Sequence, residues 1–181
     1  ADFLPIIEQI RERFERPTKL VYLNDGEGPE KPEYCLVEYE AMLEAASGEF
    51  EFEDFDENTP ATTFYTTGTT GDPKGVFYSH RQLVLHTMGI LAGLGAGDGS
   101  NRFHRGDVYM PITPMFHVHA WGMPYAATLM GIKQVYPGRY EPALLLGLIE
   151  REGVTFSHCV PTILHMLLSA PEAEQTDLSR W

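Results

Sequence analysis

The sequence predicts an α/β fold, a mostly parallel sheet with helices on both faces. Two observations predict it. From Asp107 onward, short runs rich in β-branched and aromatic residues alternate with helical segments of about ten residues, the order that right-handed crossovers between parallel strands produce. With 181 residues and 43% hydrophobic content, the chain also has enough apolar material to bury one core.

Leu4 to Phe14 places apolar residues at 4, 6, 7, 10 and 14, near helical spacing, before the β-rich run Leu20 to Leu23. Residues 24–32 form a Gly/Pro/Asp-rich loop, and Tyr39 to Ser47 a short helix. The acidic run Glu49 to Glu57 reads as a solvated loop leading to a second strand, Ala61 to Thr66. A Gly/Thr loop follows. Ser79 is suited to cap a helix running through about Leu94, and Gly95 to Arg105 is a polar excursion. Strands are then expected at Asp107–Pro111, Lys133–Tyr136 and Val154–Ser157, with helices at Trp121–Met130, Pro142–Glu152 and Thr162–Ser169. No internal repeat is visible.

Thirteen basic against twenty-six acidic residues give a net charge of −13, which disfavours nucleic acid and anionic membrane surfaces as partners. No stretch approaches the roughly 18 uninterrupted apolar residues of a membrane span. Cys35 and Cys159 lie far apart without metal-ligand spacing, so reduced thiols and a cytoplasmic location are expected. The first ten residues lack a basic lead and a long apolar core, unlike a signal peptide, and the missing initiator Met fits a piece of something longer.

The segment richest in chemistry is Tyr65-Thr-Thr-Gly-Thr-Thr-Gly-Asp-Pro-Lys-Gly-Val76. Gly68, Gly71 and Gly75 let the backbone turn N–H groups toward an anion, Thr66, Thr67, Thr69 and Thr70 add hydroxyl donors, and Lys74 adds charge. Each charge-assisted contact of this kind contributes about 1.5–3 kcal/mol. The segment is expected to join a strand end to a helix N-terminus, aiming its amides at a polyphosphate. It is not a Walker A loop: Pro73 precedes the lysine and Gly75 follows it, so an N–H and the usual magnesium hydroxyl are both missing.

These residues resemble the signature phosphate loop of the adenylate-forming superfamily: acyl-CoA synthetases, peptide-synthetase adenylation domains and luciferases. Tyr78-Ser-His-Arg81 is similar to the family's helix start, and Pro114-Met-Phe-His-Val-His-Ala-Trp121 to its next motif. Gly131 to Pro137 and Gly153 to Thr162 are similar to its following strands, so the likeness runs from Thr59 over most of the remaining chain. Within the superfamily the loop and the 115–121 segment look most like fatty acyl-CoA synthetases of the medium- or long-chain kind.

The resemblance implies an acyl-CoA ligase, a single fragment (1–181) of the large AMP-binding N-terminal domain, without the C-terminal lid domain. In the implied reaction a carboxylate attacks the α-phosphate of ATP, pyrophosphate leaves, and the thiol of CoA captures the acyl-adenylate. Thr66, Thr67, Gly68, Thr69, Thr70, Gly71 and Lys74 would bind the β- and γ-phosphates, with Thr66 or a neighbour contacting Mg2+. His117 and Val118 would lie by the acyl-adenylate, and Trp121 would wall or gate the acyl channel. A fatty or other carboxylic acid is the implied substrate, and ATP, Mg2+ and CoA the implied cofactors and co-substrate. His119 is assigned no role. The family's magnesium-holding Glu, ribose-binding Asp and adenylation Lys have no match here, so the chain alone is expected to be inactive. The rival readings are a non-catalytic nucleotide- or acyl-binding module and an adenylation domain of the peptide-synthetase type.

Several local patterns are set aside. Gly93 to Gly99 has a period of two rather than Gly-x-Gly-x-x-Gly and follows a helix, unlike a dinucleotide loop. His117-Val-His119 has no third ligand at metal spacing, and adjacent Ser79 and His80 at a helix start point different ways.

Overall fold

The structure is a computed structural model that describes residues 3–24, 28–66, 71–97 and 102–181. The chain divides into two compact units, 1–54 and 55–181.

In the first unit, α1 (Leu4–Ile10) runs into a 3-10 turn at Arg11–Arg13, and β1 (Val21–Tyr22) pairs in parallel with β2 (Val37–Glu38). The buried Tyr22 donates its hydroxyl to the Pro29 carbonyl at 2.6 Å. Helix α2 (Tyr39–Glu44) starts where the Glu38 carboxylate accepts from the Ala41 amide at 3.0 Å, a bond to the charged form that also lowers the acid's pKa.

The second unit is a mixed α/β arrangement around a parallel sheet of order β6-β5-β7, built from Lys133–Gln134, Val108–Pro111 and Phe156–His158. Successive strand residues face opposite sides, and β5 uses both: Tyr109 and Met110 are each fully buried. Met110 packs with Ile112, Leu145, Leu146 and Ile149 of α6 (Pro142–Glu152) and Leu167 of α7 (Pro161–Leu168). Tyr109 packs with Phe103 and with Met123, Ala126 and Ala127 of α5 (Met123–Met130), flanked by Ile90, Leu91 and Leu94 of α3 (His80–Gly95). Helices therefore cover both faces of the sheet, as the sequence predicts. Fully burying each large aliphatic side chain stabilises by about 1.5–3 kcal/mol.

The sequence misjudges two places. The segment from Tyr65 to Val76 does not join a strand to a helix: β3 (Pro60–Thr66) turns back as β4 (Lys74–Ser79), antiparallel, with Thr66 opposite Lys74 and Tyr65 opposite Gly75. The physical reason lies in Val76-Phe-Tyr78, β-formers that extend the chain between the loop and the helix cap. The second misjudgement is the start of the helix at Trp121. Val118–Trp121 instead form a left-handed turn, α4, and the right-handed helix begins at Met123 with Pro124 in its first turn.

Candidate functional site

The hairpin sets the frame. Ser79, at the end of β4, caps α3 as the sequence suggests: its Oγ accepts from the Gln82 amide at 3.2 Å, while Gln82 Oε1 accepts from the Ser79 amide at 2.9 Å. The other end of β4 carries Lys74, exposed and, among the described residues, paired with no carboxylate. Thr66 opposite it is half-buried. Five residue steps of β4 put the α3 N-terminus about 17 Å from Lys74. The helix dipole fades within its first turn, so an anion at the loop would rely on loop amides, hydroxyls and Lys74 instead.

Gly71, at φ 102, turns the loop into β4, and an added Cβ would meet nothing within 4 Å among the described residues. At Gly75 the Tyr65 ring lies across the strand, 3.5 Å from where a Cβ would stand, an ordinary contact distance that leaves room for a side chain. Thr67, Gly68, Thr69 and Thr70 lie outside the described residues.

At the α3 end of the hairpin a cavity of about 190 Å3 is walled by Val118, Trp121 and Tyr125, with Tyr78, Gln82 and His86 opposite. Val118 and Trp121 thus come together on one cavity. His117 does not line it; its ring is exposed and meets the Trp121 indole edge-on at 6.3 Å. From Tyr78 to Lys74 is four strand steps, about 13 Å, so the loop end and the cavity stand apart along one hairpin.

The turn that presents Val118 and Trp121 is backbone of an uncommon kind. Val118, His119, Ala120 and Trp121 have φ of 50, 51, 49 and 58°, and Gly122 follows at 75°. For residues with a side chain, left-handed backbone costs roughly 1–2 kcal/mol per residue, and β-branched valine is disfavoured most. His119 Nε2 lies 2.7 Å from Thr62 Oγ1 on β3, and its ring meets Phe64 at right angles, 5.4 Å between centroids. His86 Nε2 donates to the Trp121 carbonyl at 3.1 Å. A third imidazole, His158 of β7, stacks on Tyr109 and meets its hydroxyl at 3.2 Å. Burial holds His158 below the usual histidine value, with the Ala120 carbonyl pulling more weakly the other way.

Sequence reading passed over His86, His119, Gln82 and Tyr125. The first and third could have been found from their spacing, since 82 and 86 share one face of the helix that Ser79 caps. His119 carries no local signal, because its partners are strand residues far away in sequence.

The profile of the AMP-binding enzyme family matches residues 5–181. The chain belongs to that family. It is 44% identical to a long-chain-fatty-acid–CoA ligase of Thermus thermophilus over 90% of this chain and 28% of that protein. It is 39% identical to a 3-methylmercaptopropionyl-CoA ligase of Ruegeria pomeroyi over 98% of this chain and 32% of that protein. The chain therefore spans about a third of the length of these curated relatives. The luciferase-like enzyme of the nonluminescent mealworm Zophobas morio shares the fold, with a TM-score of 0.73 over 98% of this chain and 38% of that one, at 20% identity. No described helix is long and apolar enough to cross a membrane.

Proposed function

We propose that this chain is the phosphate- and acyl-binding part of an ATP-dependent acyl-CoA ligase, a fragment of its large N-terminal domain with the C-terminal lid domain elsewhere in the whole protein. The observation that carries the reading is the hairpin with two unlike ends. One end offers Thr66, Gly71 and Lys74, which pairs with no carboxylate among the described residues, and the other a cavity walled by Val118 and Trp121. Forming an acyl-adenylate needs both, an anion-binding end and an apolar one on a single frame.

In this reading the loop from Thr66 to Lys74 holds the β- and γ-phosphates of ATP, and Lys74 offsets charge as pyrophosphate leaves. The substrate carboxylate attacks the α-phosphate beside His117 and Val118, and Trp121 walls the acyl chain. The thiol of CoA then displaces AMP. Among the described residues no group of three or more His, Cys, Asp or Glu is set to hold a metal. In this reading a Mg2+ accompanying ATP would be bound mainly by phosphate oxygens, to which Thr66 would add one hydroxyl, and the ion would supply charge neutralisation. The substrate class is a fatty acid, by analogy with the Thermus ligase, and the free thiols of Cys35 and Cys159 suit a cytoplasmic enzyme.

The test is Lys74→Ala in the complete enzyme. ATP–pyrophosphate exchange should fall about ten- to hundredfold, the loss of one charge-assisted bond. Thioester formation from supplied acyl-adenylate should stay near normal, because pyrophosphate has already left. Equal damage to both half-reactions, or to neither, removes Lys74 from the phosphate site; absence of both from the unsubstituted enzyme favours a non-catalytic binding module.

A further inference from the structure

The α4 turn poses a question of handedness. Its internal hydrogen bonds, Ala120 N–H to the His117 carbonyl and Gly122 N–H to the His119 carbonyl, both 3.1 Å, span three residues. A right-handed turn closes the same three-residue bonds at lower cost, so they do not select the left-handed form. Single left-handed residues are routine for glycine, but a run of four with side chains persists only where the surroundings over-determine it. The Trp121 side chain is not that determinant, since the residue is 56% exposed. What remains are contacts from other elements, and the polar ones run through three imidazoles: His158 meets the Ala120 carbonyl from β7, while His86 and His119 act on the residues either side of it.

His86, one turn beyond Gln82 on α3, reaches the backbone of the turn. A carbonyl only accepts, so Nε2 carries the proton and donates to Trp121, fixing the direction of that peptide. The same ring lies 2.7 Å from where a Cβ on residue 122 would stand, and only glycine there admits it. His119 works from inside the turn, tied to Thr62 Oγ1 and packed edge-on against buried Phe64. The two clamps act on opposite flanks of Ala120, which is itself fully buried.

We propose that His86 and His119 are positioning residues, holding α4 in the one hand that presents Val118 and Trp121 to the cavity. Neither histidine need touch the reacting atoms. The kinetic consequence rests on the acyl-site reading given above, whereas the structural one does not.

The experiment follows the two indole N–H resonances of the 15N-labelled full chain. Trp181 donates its indole N–H to Ser157 Oγ at 2.9 Å and serves as an internal control for folding. In His86→Ala and in His119→Ala the Trp121 resonance should shift or broaden while that of Trp181 stays. His86→Gln, which keeps an N–H donor for the carbonyl, should restore the Trp121 signal. No change in Trp121 overturns the proposal, as does an equal change in both indoles that Gln fails to rescue. In the complete enzyme His86→Ala should raise KM for the acid about tenfold with KM for ATP unchanged, and Gln should recover most of that loss. If the complete enzyme makes no thioester at all, the ligase reading fails while the indole result still decides the clamp.

Discussion

The loop end of the β3–β4 hairpin and the α4 turn both need left-handed backbone, and they obtain it differently. At the hairpin the position is a glycine, Gly71, in open space among the described residues. In α4 the positions are Val118, His119, Ala120 and Trp121, and glycine appears only at 122, with a ring packed against it. One conformation is encoded locally, by a residue that adopts it at no steric cost. The other is imposed from outside by contacts with α3 and β3.

Alanine at the two glycines separates these modes. Gly122→Ala should cost the most, at least about 2 kcal/mol, because strain at φ 75 adds to collision with His86. Gly71→Ala should cost about 1 kcal/mol, since only the dihedral term applies. Urea unfolding with unchanged slopes measures both, and equal values would show that the ring contributes nothing.

A pH series probes the α4 side further. Burial depresses the folded pKa of His158 below its reference of 6.5, so below that pH the unfolded chain takes up the proton before the folded one does. The associated stability is intact above 6.5 and lost as pH falls through the lower folded value. The urea midpoint of the unsubstituted chain should thus drop more between pH 7.5 and 5.5 than that of His158→Gln, and parallel curves would remove His158 as the cause.

The smallest effect is expected on the hairpin side, at the pair of Arg81 and Glu57, both more than half exposed. Replacing Arg81 by Ala should change stability by no more than about 0.5 kcal/mol, less in high salt. A larger loss would mean that the start of α3 is held by charge rather than by the Ser79–Gln82 capping box.

What was legible follows the same division. The parallel sheet and α6 could be read because strand and helix periods are written in consecutive residues; α6 starts and stops where Pro142 and Gly153 say it should. Ser79 announced its helix by the same logic. The geometry around the Thr/Gly/Lys loop was not legible, since six residues from Lys74 to Ser79 suit a strand or a helix approach about equally until their partner strand is known. The turn at 118–121 was not legible. Nothing in Val-His-Ala-Trp favours left-handed backbone, and the contacts that select it come from Thr62, Phe64 and His86, distant in sequence.

The packing of His86 against Gly122 has a consequence for how this sequence can change over generations. A side chain at 122 is blocked while the imidazole is present, and removing the imidazole makes room without relaxing the φ of 75°. Losing the imidazole removes the collision but leaves the dihedral strain, so drift at 86 offsets only part of the cost of drift at 122. The pair forms a double lock, and lineages that lose it are expected to have rebuilt the whole turn rather than to have exchanged one residue.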